Sequence, residues 1–137
     1  MSRVDVMGHI KVGATFYNAI DYIRWVGGEI PETSVRRVEV EALVDTGATY
    51  PALPKDTIEK LGLVFLDEID GEVASGKTNR LYAPAIVKIE DRIAECPVIE
   101  RPEETTPVIG VVALEQMGFR VDPATGKLIK GLPLMLM

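Results

Sequence analysis

The chain is poor in the residues on which most enzyme sites are built, with one cysteine and one histidine among 137 residues. A lone Cys96 cannot close an internal disulfide, and no histidine stands near it in sequence to raise a thiolate nucleophile; its reading is a buried strand residue within Ala94 to Val98. A zinc centre or a Ser-His triad would rest on His9 alone, at the edge of a strand. Metal and cofactor chemistry are therefore not expected. Long apolar runs are missing too. Nowhere do about eighteen apolar residues follow one another, and Met1-Ser2-Arg3-Val4-Asp5 leads into no stretch of signal-peptide length, so no membrane partner is expected and a cytoplasmic location follows by default. Positive charge is scarce and scattered: the net charge is −6, which leaves no electrostatic footprint for a nucleic acid backbone.

What is present is an ordinary globular balance, 47% apolar and 26% charged, enough for one folded domain over residues 1–137. Residues 1–7 read as an extension in front of a start near Met7-Gly8. Most of the chain runs with period two. Val38, Val40, Ala42 and Val44 alternate with Arg37, Glu39 and Glu41, the signature of a strand with one face on the core, and Leu43 makes its last turn apolar on both faces. Similar runs cover His9 to Tyr17, Leu63 to Leu66, Leu81 to Ile89, Ile93 to Ile99 and Pro107 to Ile109, separated by Gly, Pro and charged turns. Two short helices interrupt them, Pro54 to Leu61 closed by Gly62 and Val111 to Met117 closed by Gly118. Glu59-Lys60-Leu61-Gly62-Leu63 and Glu115-Gln116-Met117-Gly118-Phe119 echo one another, as common helix capping or an internally two-fold barrel would each produce. The expected class is mainly β with two short helices. Asn18 to Arg36, with Trp25, Gly27-Gly28 and Pro31, is longer than a hairpin needs and reads as a rim loop or an interface element.

Asp45-Thr46-Gly47 stands directly after the strand Val38 to Val44. A carboxylate on a tight glycine turn at a strand end is held rigidly where a substrate can reach it. Peptide hydrolysis by carboxylates needs two that share a proton, since like charges a few ångströms apart cannot both ionise and so divide into an acid and a base. A chain of this length has no room for a second lobe carrying the other. The same three residues are also good turn formers, which leaves a structural turn in a peptide-binding or dimerisation module as the alternative.

Leu43-Val44-Asp45-Thr46-Gly47-Ala48-Thr49, then Leu53-Pro54 and a helix ending Leu61-Gly62-Leu63, then Val108-Ile109-Gly110 before a second helix, and Val121-Asp122-Pro123 with Gly126-Lys127-Leu128, resemble the retropepsin-like aspartic proteases, above all their small prokaryotic single-domain members. The match spans roughly Gly8 to Ile129. It implies a closed β-barrel-like lobe, a peptide or protein substrate, and a homodimer in which each chain supplies one Asp. Asp45 then matches the catalytic carboxylate, Thr46 the hydroxyl that braces the two loops across the dimer, and Gly47 the turn residue whose backbone approaches substrate. Ala48 and Thr49 fall at the pocket wall. Val108-Ile109-Gly110 falls on the strand that supports the catalytic loop. Retroviral members carry an Asp where Thr49 stands and an Arg where Val111 stands; both charges are absent here together. The C-terminal run from Leu128 to Met137 is apolar enough to want a dimer partner, a groove or its own lobe to pack on.

The family also implies a flap closing over substrate. The hairpin between Ile69 and Tyr82, with Ser75, Gly76 and Lys77 near its tip, has the right place in order. Gly71 to Thr78 meanwhile satisfies the phosphate-loop pattern G-x-x-x-x-G-K-[ST]. Such a loop must open a helix at about Lys77, whose N-terminal amides face the phosphate. Pro84 would break that helix, Ala85 to Ile89 are strand-like, and the alternating βα units of a nucleotide-binding sheet are missing. Nucleotide binding is thus the weaker reading of this segment.

Overall fold

A computed structural model describes residues 2–4, 10–70 and 78–132. Among these the strands are β1 (Ser2–Val4), β2 (Ile10–Asn18), β3 (Arg37–Val44), β4 (Ala52–Pro54), β5 (Phe65–Asp70), β6 (Thr78–Ile89), β7 (Arg92–Arg101), β8 (Val108–Ile109), β9 (Phe119–Val121) and β10 (Leu128–Lys130). The helices are α1 (Ala19–Val26), α2 (Lys55–Leu61) and α3 (Val111–Met117). The chain is mainly β, as its period-two patterning requires.

The alternating run before Asp45 becomes β3, paired antiparallel with β2 from Tyr17↔Arg37 to Ile10↔Val44. Ala42 and Val44 are buried, while Val38 and Val40 pack half-buried against the same core. The end of β3 takes β8 in parallel, β8 takes β4, β4 takes β7 in parallel, and β7 pairs with β6. Strand β6 returns to β2 through Thr15↔Lys88 to Asn18↔Ala85. Six strands therefore form a ring. Strand β1 extends the other half of the same β2 edge and β5 hangs on β6, while β9 and β10 make a separate ribbon. Ser2–Val4 thus carries strand pairing inside the stretch expected to be an extension.

Inside the ring and under α2 and α3 lies one apolar core, in which Phe16, Leu53, Ile58, Leu61, Ile109 and Met117 are fully buried. Each such side chain contributes about 1.5–3 kcal/mol by leaving water. The two expected helices stand where the sequence places them, and their caps Gly62 and Gly118 adopt the left-handed conformation that lets the chain leave a helix sharply.

A third helix, α1, lies within the segment expected to be a rim loop or an interface element. Asn18 caps it, accepting from the Asp21 amide at 3.1 Å, and donates from its own amide to the Leu61 carbonyl at 2.9 Å, tying α1 to the end of α2. Tyr22 and Trp25 pack with Tyr17, Val35 and Ile86 in a second cluster outside the ring. Tyr17–Tyr22 and Tyr22–Trp25 meet edge to face at 5.0 and 5.4 Å. Ile20, Ile23 and Val26 turn to solvent.

Candidate active site

The Asp45 turn is built by three neighbours. Strand β3 delivers it, and β8 fixes its height: the Leu43 amide donates to the Pro107 carbonyl at 2.8 Å and the Asp45 amide to the Ile109 carbonyl at 3.0 Å. The turn closes on itself as the Ala48 amide donates to the Asp45 carbonyl at 3.1 Å and the Gly47 amide to Asp45 Oδ1 at 2.9 Å. One carboxylate oxygen is therefore oriented by the turn it belongs to.

Helix α3 then grips the far side. Amides of Val111 and Val112 donate to the carbonyls of Ala48 and Thr49 at 2.8 and 3.1 Å. Main-chain bonds thus join the turn to the helix, Ala48 to Val111 and Thr49 to Val112, where Thr49 and Val111 carry no charge. Gly110 is buried in this contact. A Cβ there would lie 2.7 Å from the carbonyl carbon and oxygen of Thr49 and 2.8 Å from the Ala48 oxygen, all backbone atoms that cannot swing aside.

Asp45, Ala48 and Val108 line one pocket of about 360 Å³ with Leu43, Val44, Ala52 and Arg101. Five of the seven lining residues are apolar; Asp45 and Arg101 are the two charges. Asp45, Thr46, Gly47 and Thr49 are exposed in the single chain. Among the described residues the Thr46 hydroxyl has no hydrogen-bond partner. Gly110 stands behind the turn and away from the pocket surface.

Ala52 and Arg101 are site residues that the sequence does not announce. Both come from the parallel pairing of β4 with β7, Ala52↔Ile99 through Pro54↔Arg101. A three-residue strand that follows Pro51 and ends in Pro54 carries almost no periodic signal, and Arg101 sits beyond Ile99, where the alternating run reads as ended.

The expected flap hairpin has its two arms in β5 and β6, paired Glu68↔Arg80, Ile69↔Asn79 and Asp70↔Thr78. Ser75, Gly76 and Lys77 lie outside the described residues. Thr78 opens a strand, whereas a phosphate loop would open a helix at this point.

Cys96 is fully buried on β7, where loss of solvation pushes its thiol up to about 11, which suits a structural residue and not a nucleophile. Among the described residues no group of three or more His, Cys, Asp or Glu gathers to hold a metal ion, and no helix is long and apolar enough to cross a membrane.

Comparison by sequence finds no matching protein-family model and no matching curated protein. Comparison of folds finds a crystal structure of a retropepsin-like aspartic protease from Rickettsia conorii, similar to this chain with a TM-score of 0.58 and 21% sequence identity, covering 88% of this chain and 82% of that one. The ring of strands, with α2 and α3 packed over its core, is a retropepsin-like fold.

Proposed function

From a retropepsin-like fold with Asp45-Thr46-Gly47 at the mouth of an apolar pocket, we propose that the protein is an aspartic endopeptidase active as a homodimer. The observation that carries the reading is the position of Asp45: it directly follows β3, is held by β8, and shares its pocket with Ala48 and Val108. Solvent exposure of Asp45, and a Thr46 hydroxyl without a hydrogen-bond partner among the described residues, fit a surface completed by a second copy, and an isologous two-fold interface is the commonest way to bring two identical loops together.

In the assembled site a water lies between the two Asp45 carboxyls. The ionised one takes its proton as the water oxygen attacks the peptide carbonyl carbon, and the protonated one donates to the carbonyl oxygen. The resulting gem-diol collapses as the now protonated carboxyl gives its proton to the amide nitrogen, the C–N bond breaks, and the other carboxylate takes a proton from a gem-diol hydroxyl, which restores the shared-proton pair. Leu43, Val44 and Val108 keep water from the flanks of the site once substrate covers it. The paired arms β5 and β6 serve as the closing flap.

A second reading, a protease-like module that binds peptides or dimerises without cleaving them, is favoured by the hydrogen bond from the Gly47 amide to Asp45 Oδ1, which explains an Asp and a Gly at these positions by turn chemistry alone. Cleavage of a degenerate peptide library at mildly acidic pH, by the wild type and by Asp45→Asn, separates the two. The peptidase reading expects cleavage by the wild type and a loss of about a thousandfold or more in the variant; cleavage unchanged in the variant, or none by either protein, sinks it.

A further inference from the structure

The pocket beside Asp45 contains a cation that the proposed chemistry does not use. Arg101 is the last residue of β7 and lines the pocket with Leu43, Val44, Ala48, Ala52 and Val108. It is half-buried, and its Nη1 donates to the Thr106 carbonyl at 2.7 Å, which fixes one edge of the guanidinium. Among the described residues no carboxylate forms an ion pair with it. The adjacent Glu100 is committed elsewhere: strand alternation sends it to the other face, where it accepts from the Tyr82 hydroxyl at 2.6 Å and lies 3.7 Å from Arg80. Glu103 and Glu104 follow on the exposed turn and make no ion pair with it either. A guanidinium has five N–H donors in a planar fork, and only one of its nitrogens is engaged here. A pocket wall that is apolar but for Asp45 and one oriented Arg, with no ion-pair partner for that Arg among the described residues, suits a carboxylate at the end of a short apolar stem.

We propose that Arg101 is a specificity-determining residue that selects an acidic side chain, Glu or Asp, in the peptide segment lying next to Asp45. The proposal rests on the peptidase reading for its biological setting, but its test does not depend on cleavage. The stem of a Glu side chain covers Leu43, Ala52 and Val108, while its carboxylate takes the free edge of the guanidinium. The isosteric Gln offers one acceptor and no charge.

Three sets of octapeptide libraries, identical except for Glu, Gln or Lys fixed at each position in turn, provide the probe. Binding to the Asp45→Asn protein is followed by fluorescence polarisation, and cleavage by the wild type is followed in parallel. The expected result is a preference of about tenfold or more for Glu over Gln at one fixed position, the size of one charge-assisted hydrogen-bonded pair. That preference should shrink as salt is raised. It should disappear in Arg101→Met, persist in weakened form in Arg101→Lys, and turn toward Lys-fixed peptides in Arg101→Glu. Equal binding of Glu and Gln libraries at every position, or a preference that survives Arg101→Met in a protein with wild-type thermal stability, overturns the proposal. A variant that fails to fold is replaced in this comparison by the charge-retaining Arg101→Lys, whose loss of all preference for Glu overturns it equally. An acidic preference in binding without any cleavage leaves this inference standing and removes the peptidase reading; cleavage without acidic preference does the reverse.

Discussion

Gly110 is where the candidate site is least forgiving. Its missing side chain lets the Ala48 and Thr49 carbonyls sit directly on the start of α3, and a methyl group would enter space already held by main-chain atoms. Gly110→Ala should therefore cost about 1–3 kcal/mol in urea unfolding, in the range of an overpacked core position. It should also lower peptide cleavage further than the stability loss explains, because the atoms displaced are those of the turn that carries Asp45. Equal stability of variant and wild type would show that the turn yields at no cost. Legibility at this scale was uneven. Asp45-Thr46-Gly47 declares itself through residue types and its place after a strand, and Val108-Ile109-Gly110 through two apolar residues and a glycine before a helix. Arg101 could not be read, since what brings it to the pocket is a parallel pairing between two distant segments and no property of its own neighbourhood.

At the scale of elements, the alternation of apolar and charged residues marks most of the long strands, and glycine caps mark the ends of α2 and α3. Helix α1 escapes because its apolar residues fall on two faces: Ala19, Tyr22 and Trp25 turn toward the ring, Ile20, Ile23 and Val26 toward solvent. Its two charged residues, Asp21 and Arg24, do share a face, but eight residues are shorter than the window over which a 3.6-residue stripe is read. What holds α1 in place is legible only in three dimensions. Arg36 donates to Asp21 through Nε at 2.8 Å, through Nη2 at 3.1 Å and through its own backbone amide at 3.1 Å. The Arg36 guanidinium beside buried Asp21 holds the carboxyl below the ordinary aspartate range, against the opposing effect of burial. A carboxyl depressed in the folded state adds stability above its unfolded pKa of about 3.9, and loses it as pH falls through the lower folded value. Asp21→Asn should accordingly cost about 1 kcal/mol near neutral pH, modest because the Arg36 side chain is half exposed and stays solvated when its partner is removed. The gap between variant and wild type in urea midpoints should close progressively below about pH 4. A gap that stays constant down to strongly acidic pH would assign the effect to packing of α1 and not to the ion pair.

For the whole molecule, the decisive number is how many chains make one site. A site needing two copies of Asp45 loses activity on dilution more steeply than in proportion to protein concentration, and its thermal midpoint rises with concentration because association stabilises the folded chain. Specific activity measured across a dilution series, alongside mass in solution, checks both. Constant specific activity in a sample that is monomeric throughout would contradict the two-chain mechanism. The ring itself was legible as a class, mainly β with helices at known places, while its closure through β2 and β6 follows from pairings that no local pattern encodes.

The bond from the Asp45 amide to the Ile109 carbonyl joins the first half of the chain to its last third. During synthesis on the ribosome, Asp45 emerges long before β8 exists, and the loop that would carry the chemistry has nothing to lean on until the segment through α3 has followed it out. Contacts of such long sequence separation form late because the loop entropy must be overcome before they contribute. The nascent chain is thus unable to present a finished Asp45 turn beside neighbouring unfolded polypeptide, the material such a site would otherwise cut.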